Sequence, residues 1–185
     1  MHFRERGYVY AAKSCVRESG DREIPRKPSK RKPTPRGLKA KPAVRIQYGA
    51  LPYRLTEATA LEILLVTTRQ SKRWIIPKGW PIKGLKPPKS AAREAFEEAG
   101  VRGRVGAKAI GVFAYNKLLD DAGIVTVCEV KVFPLLVTSQ SQTWPEVEQR
   151  TVQWVEPGRA VALVNEAKLK ELVAAFAKKA ARAAS

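Results

Sequence analysis

The sequence predicts an α/β fold in which a mixed β-sheet lies between helices. Three features predict it. Apolar runs of strand length dominate the middle of the chain. A proline-initiated, alanine-rich helical pattern interrupts them between Pro87 and Ala99. A basic amphipathic helix follows from about Asn165 to Ala181. A sheet flanked in this way needs helices on both of its faces.

Each element follows from local pattern. "AVRIQYGALPYRL", from Ala43, alternates well enough for a strand. "LEILLVTTR" (Leu61–Arg69) is an apolar run of strand length, and "RWIIP" is a short strand. Pro87 and Pro88 suit the first turn of a helix, because a proline there sacrifices no helical hydrogen bond. Gly100 is a natural C′ residue to end it. "AKAIGVFAYNKLL" and "GIVTVCEVKVFPLLVT" are two longer strand-like runs, and a further strand falls around Thr151–Val155. Residues 43–182 therefore form one domain that includes the C-terminal helix.

Residues 1–42 differ in kind. They hold 13 of the 35 Lys+Arg and 4 of the 17 Asp+Glu, which is +9 of the formal +18. Within them, "REIPRKPSKRKPTPRGLKAKP" is rich in Pro, Lys and Arg and almost free of large apolar groups. Such a composition cannot offset ordering entropy, so a disordered basic arm is expected. Its field attracts polyanions, so contact with nucleic acid or an acidic surface is one expectation for it, and mere solubilisation is the other.

Composition also excludes. His2 is the only histidine and stands at the second position, so a Ser-His-Asp triad or an H-E-x-x-H zinc site has no imidazole to use. Acid–base work must come from carboxylates, Lys, Tyr or metal-bound water. Cys15 and Cys128 make neither a disulfide framework nor a zinc cluster, so a reducing cytoplasm is expected. No run approaches the roughly 18 consecutive apolar residues of a membrane span.

Against this basic background, Glu94, Glu97 and Glu98 fall within five residues of one helix. With about 100° per residue, Glu97 lies near −60° and Glu98 near +40° of Glu94. Ala92, Ala95, Phe96 and Ala99 occupy the sector from about 100° to 200°. The helix is expected to turn its alanines to the core and its carboxylates away from it. Arg93 lies four residues before Glu97, in pairing range. One arginine cannot neutralise three carboxylates. A solvated acidic face is the plain explanation. The basic chain and the preceding Gly/Pro/Lys loop favour a divalent cation instead, and hard oxygen ligands suit Mg²⁺ or Mn²⁺.

"GWPIKGLKPPKSAAREAFEEAGV" resembles the Nudix box, G-x5-E-x7-R-E-U-x-E-E-x-G-U. Gly79, Arg93, Glu94, Ala95, Glu97, Glu98, Gly100 and Val101 stand at matching positions. The resemblance implies a Nudix-type α/β/α sandwich and hydrolysis of a pyrophosphate linkage. It implies Mg²⁺ held by Glu94 and Glu98, with Glu97 as a further ligand or the base and the Lys78 carbonyl as a backbone ligand. Leu85 replaces the first box Glu, which usually braces the arginine. That leaves Arg93 to be braced by Glu97 or by groups not evident in the sequence, and puts loop geometry and efficiency in question.

The flanks "RWIIPKGW", "GVFAYNK" and "WPEVEQRTVQWVEP" are similar to the diphosphoinositol polyphosphate and diadenosine polyphosphate hydrolase branch. By that similarity Arg69, Lys78, Gly79 and Arg150 form the phosphate-binding side, with Lys83 and Lys86 as further cations on the rim. The plain alternative makes Arg69 and Arg150 exposed loop charges. Trp74 and Trp154 are expected to pack rather than to stack on bases. The resulting expectation is a metal-dependent hydrolase of a nucleoside polyphosphate or inositol pyrophosphate-type small molecule. The alternatives are an RNA 5′-pyrophosphohydrolase and a non-catalytic polyphosphate- or nucleic-acid-binding Nudix module. Deletion of residues 1–42 removes charge and little core, so the melting temperature should be unchanged and small substrates should still be cleaved. A large drop in melting temperature would make the arm part of the domain.

Overall fold

The computed structural model describes residues 44–56, 60–118 and 125–184. The basic arm expected over residues 1–42 lies outside the described residues. Among the described residues, eight strands and three helices follow in the order β1 (Val44–Leu55), β2 (Leu61–Thr67), β3 (Trp74–Ile75), β4 (Lys78–Gly79), α1 (Pro87–Ala99), β5 (Val101–Val105), β6 (Gly111–Leu118), β7 (Val125–Gln140), β8 (Val152–Val155), α2 (Pro157–Leu163) and α3 (Ala167–Ala184).

All eight strands belong to one sheet, with a central order β3-β2-β1-β7-β5. β4 pairs with β1, β6 with β7 and β8 with β2. The β1–β7 pair is parallel, from Val44↔Val127 to Tyr53↔Leu136, and the other pairs are antiparallel. The sheet is therefore mixed, as predicted.

Residue alternation along β1 assigns the helices to opposite faces. Gly79 of β4 pairs with Tyr48 and meets Glu94 of α1. Tyr53, an odd number of residues on, stacks edge-on against Phe176 of α3 at 4.8 Å. The α1 face buries Ala91, Ala95 and Ala99 against the sheet, where small side chains permit close approach. On the α3 side, Gly111 leaves room for Leu172. Ile63, Leu64, Leu65 and Val66 of β2 are fully buried, which is the signature of a strand covered on both faces.

Four predicted boundaries hold closely. β1, β2, α1 and β8 fall within a few residues of their predicted limits. Gly100 adopts the left-handed conformation with φ 71°, and its N–H closes α1 on the Phe96 carbonyl. The short strands β4 and β5 and the two-turn α2 carried too little periodicity to be read. Trp74 and Trp154 are packing residues, as expected: both lie against the core, and Trp154 Nε1 donates to Gln140 Oε1 at 3.0 Å.

Candidate functional site

The three glutamates of α1 do not share one solvated face. Ala91, Ala95 and Glu98 form an i, i+4, i+7 stripe, so Glu98 points with the alanines and is only 4% exposed. This corrects the expectation of carboxylates turned away from the core. The boundary of the buried sector falls between Glu94 and Glu98, not beyond both.

A buried carboxylate needs partners. Glu98 Oε2 accepts the backbone N–H of Lys78 at 3.2 Å. Glu98 Oε1 accepts Nη2 of Arg150. Arg150 is itself only 5% exposed in its side chain. Its Nε donates to Glu146 Oε2 at 2.5 Å and its Nη1 to the Thr67 carbonyl at 2.8 Å. Both sequence readings of Arg150 are thereby revised. It is not an exposed loop charge, and its donors are spent on the protein rather than left for phosphate.

Glu146 was missed by sequence reasoning, although it stands four residues before Arg150 in pairing register. Its position follows from how residues 140–147 cap α1. The terminal carbonyls of a helix need donors. Here Gln140 Nε2 reaches the Ala99 carbonyl at 3.1 Å, and the Glu146 N–H reaches the Glu97 carbonyl at 3.1 Å. The Ser141 N–H reaches the Gly100 carbonyl at 2.9 Å. A Cβ on Gly100 would strike the Trp144 ring, so glycine both ends the helix and admits this segment.

Arg93 Nε pairs with Glu97 Oε1 at 2.5 Å, which is the bracing predicted in the absence of the first box Glu. Leu85 itself is 43% exposed in the loop before α1. That loop is tied by the Ile82 N–H to Ser90 Oγ at 3.3 Å. Lys83 and Lys86 are exposed in the same loop. Arg69 is exposed and touches Glu146 only at 3.9 Å.

Glu94 is the exception. Among the described residues it has no hydrogen-bond or ion-pair partner. Its carboxyl group lies over Gly79, in the space that a Cβ there would fill. Burial and the neighbouring charges of Glu98, Glu97 and Glu146 push its pKa up to about 7. Burial likewise raises that of Glu98, against the opposing pull of Lys78 and Arg150. Burial lowers that of Lys78, whose ammonium lies 5.2 Å over the Tyr115 ring.

Among the described residues, four carboxylates thus crowd a site that contains the buried Arg150, the partly exposed Arg93 and the partly buried Lys78, with the exposed Arg69 at its rim. The donor set is hard oxygen, which fits Mg²⁺ or Mn²⁺. The unpartnered Glu94 is where the charge deficit is concentrated. Among the described residues no three acidic, His or Cys side chains are gathered into a ready cation-binding group. The two arginines hold Glu97 and Glu98 by their Oε1 atoms.

A family model described as "NUDIX domain" matches residues 49–176. Nudix hydrolase 21, chloroplastic, of Arabidopsis thaliana is 32% identical over 132 residues, covering 69% of this chain and 64% of that protein. The chain thus spans less than two thirds of that relative's length. Diphosphoinositol polyphosphate phosphohydrolase 3-alpha of Mus musculus is 38% identical over 86 residues, 46% of this chain and 48% of that one. The crystal structure of the C. elegans Ap4A hydrolase superposes with a TM-score of 0.54 at 19% identity, covering 74% of this chain and 98% of that one. The folds are the same.

Two outcomes follow from the site. Replacing Arg150 by Met leaves Glu98 and Glu146 without their shared cation. Loss of one member of a buried pair costs about 3–5 kcal/mol. Denaturant unfolding should show that loss, and a change under 1 kcal/mol would contradict the buried node. For Glu94, the folded pKa near 7 exceeds the ordinary 4.5. The folded state therefore holds a proton that the unfolded chain has lost between these values. Its stability falls as pH rises through that window. In chelator, Glu94→Gln should raise the melting temperature relative to wild type at pH 8 and not at pH 4.5. Mg²⁺ should narrow the difference at pH 8.

Proposed function

Because this chain belongs to the Nudix hydrolase family, we propose that it is a metal-dependent pyrophosphohydrolase acting on a phosphorylated small molecule. The observation that carries this reading is Glu94, an unpartnered carboxylate held against Gly79 among three others. Glu94 and Glu98 would hold a divalent cation, with Glu97 as a third ligand or the base. The Lys78 carbonyl would add a backbone oxygen. Such an ion, when bound, supplies charge to phosphate oxygens and acidifies water.

The chain's own groups divide the remaining work. Glu98 is fixed by the Lys78 N–H and by Arg150, so its carboxylate cannot swing. A rigid ligand costs no reorganisation during reaction. Glu94, with a pKa near neutrality, can accept a proton at working pH in the state without metal. Glu97 is held through its Oε1 by a partly exposed arginine. Lys78, with its ammonium beside the Tyr115 ring, places positive charge near Glu98 without closing an ion pair on it. It remains able to meet a phosphate oxygen. Arg69 is exposed and loosely held, which leaves it free for the same role. Arg150 contributes by holding Glu98 and Glu146.

The substrate reading is a nucleoside polyphosphate or an inositol pyrophosphate-type compound. It is supported by the similarity to a diphosphoinositol polyphosphate phosphohydrolase and to an Ap4A hydrolase, and by the basic balance of the domain. A place in the cytoplasm is supported by the buried free thiol of Cys128. No helix among the described residues is long and apolar enough to cross a membrane.

The test is turnover of a panel comprising ADP-ribose, diadenosine polyphosphates, an inositol pyrophosphate and 5′-triphosphate RNA at matched free Mg²⁺. Glu94→Gln should lower kcat/KM by about 10²–10⁴-fold on whichever compound the wild type cleaves, within the usual range for a lost acid–base or ligand group. Near-normal turnover would remove Glu94 from the site. Preferential cleavage of RNA would transfer the assignment to an RNA 5′-pyrophosphohydrolase.

A further inference from the structure

Two cations converge on one tryptophan at the edge of this site. The Arg45 guanidinium carbon lies 4.2 Å from the centre of the Trp80 ring, and Lys117 Nζ lies 4.7 Å from it. Neither cation was singled out by sequence. Arg45 pairs in register with Cys128, as does Tyr115, and Lys117 follows Tyr115 by two residues on β6. Arg45, Tyr115 and Lys117 therefore project from the same face of the sheet. Lys78, over Tyr115, extends the row of cations towards Glu98.

Like charges on one ring repel. The ring offsets part of this, because a cation over an indole face gains roughly 0.5–2 kcal/mol. Carboxylates do the rest elsewhere in the molecule: Arg54, Arg73, Arg93 and Arg150 each pair with a glutamate. Among the described residues Arg45 and Lys117 have no such partner. The stack is tied to the carboxylates by the chain itself. Trp80 follows Gly79, over which Glu94 lies, and Lys78 gives its N–H to Glu98. Among the described residues β4 pairs only with β1, so its other side is an open edge joining the two faces.

We propose that Arg45 and Lys117, held by Trp80, bind the phosphates lying beyond the scissile linkage. They would thereby set a preference for substrates with three or more linked or clustered phosphates. This deepens the hydrolase reading and rests on it for the word substrate. The cations that set chain-length preference are then these two, not Arg150. Each can give a phosphate charge-assisted hydrogen bonds, Arg45 in a two-pronged mode and Lys117 as a point charge. A free phosphate chain, a dinucleoside polyphosphate and a pyrophosphorylated inositol share this chemistry.

The test compares wild type with the double variant Arg45→Gln/Lys117→Met, which keeps Trp80 and removes both charges. Binding of inorganic tripolyphosphate is measured by calorimetry without metal, so it needs no turnover. It is readable even where the hydrolase reading fails. We expect Kd to rise at least tenfold in the double variant. In hydrolysis at matched free Mg²⁺, kcat/KM should fall at least tenfold more for diadenosine pentaphosphate and for an inositol pyrophosphate than for ADP-ribose. The loss should lie in KM. A greater loss for only one of the two long compounds identifies which source of phosphates the stack serves. Unchanged tripolyphosphate affinity would overturn the proposal. So would an equal loss for long and short substrates, or an equal loss of affinity for an RNA oligomer without a 5′ phosphate chain.

Discussion

The crowding of four carboxylates around the second half of α1 is the constraint on which the site depends. Glu94, Glu97, Glu98 and Glu146 would repel one another out of any compact arrangement that lacked cations. Arg150 prevents this by reaching Glu98, Glu146 and the Thr67 carbonyl from one buried guanidinium. Its planar fork can serve three acceptors at once, which an ammonium at the same place could not do with fixed geometry. Arg93 holds Glu97 on the exposed side. Among the described residues Glu94 has no cation of its own.

The fold supplies this crowding through backbone features rather than side-chain chemistry. α1 can sit close to the sheet because Ala91, Ala95 and Ala99 form its buried stripe. Gly79 has no Cβ to block Glu94. Gly100 ends the helix in the left-handed region and leaves room for Trp144, which brings Glu146 beneath the helix end. The same β4 that meets the carboxylates on one side presents Lys78 to Tyr115 on the other. Anionic and cationic walls therefore share a two-residue strand.

Much of this was legible in the sequence where a strong local rule applied. The limits of α1 follow from Pro87, Pro88 and Gly100, and the spacing of Arg93, Glu94, Glu97 and Glu98 marks the site. The mixed sheet follows from strand-length apolar runs interrupted by helices, while the parallel pairing of β1 with β7 was not read from sequence. The partners of Arg150 were not legible, because they come from β2, α1 and the segment before β8. Residue separations of 83 and 52 leave no periodic trace. The burial of Glu98 turns on a few tens of degrees around the helix axis. The meeting of Arg45, Trp80 and Lys117 depends on strand register, which pattern alone does not fix.

In the proposed reading, Glu94, which has no cationic partner among the described residues, is the place of a divalent cation. Titration of Mn²⁺ into the full-length protein at pH 7.5, followed by electron paramagnetic resonance, tests it without any substrate. Saturable binding that weakens at least tenfold in Glu94→Gln is expected. Equal Mn²⁺ affinity in wild type and Glu94→Gln, with both proteins folded, would contradict it.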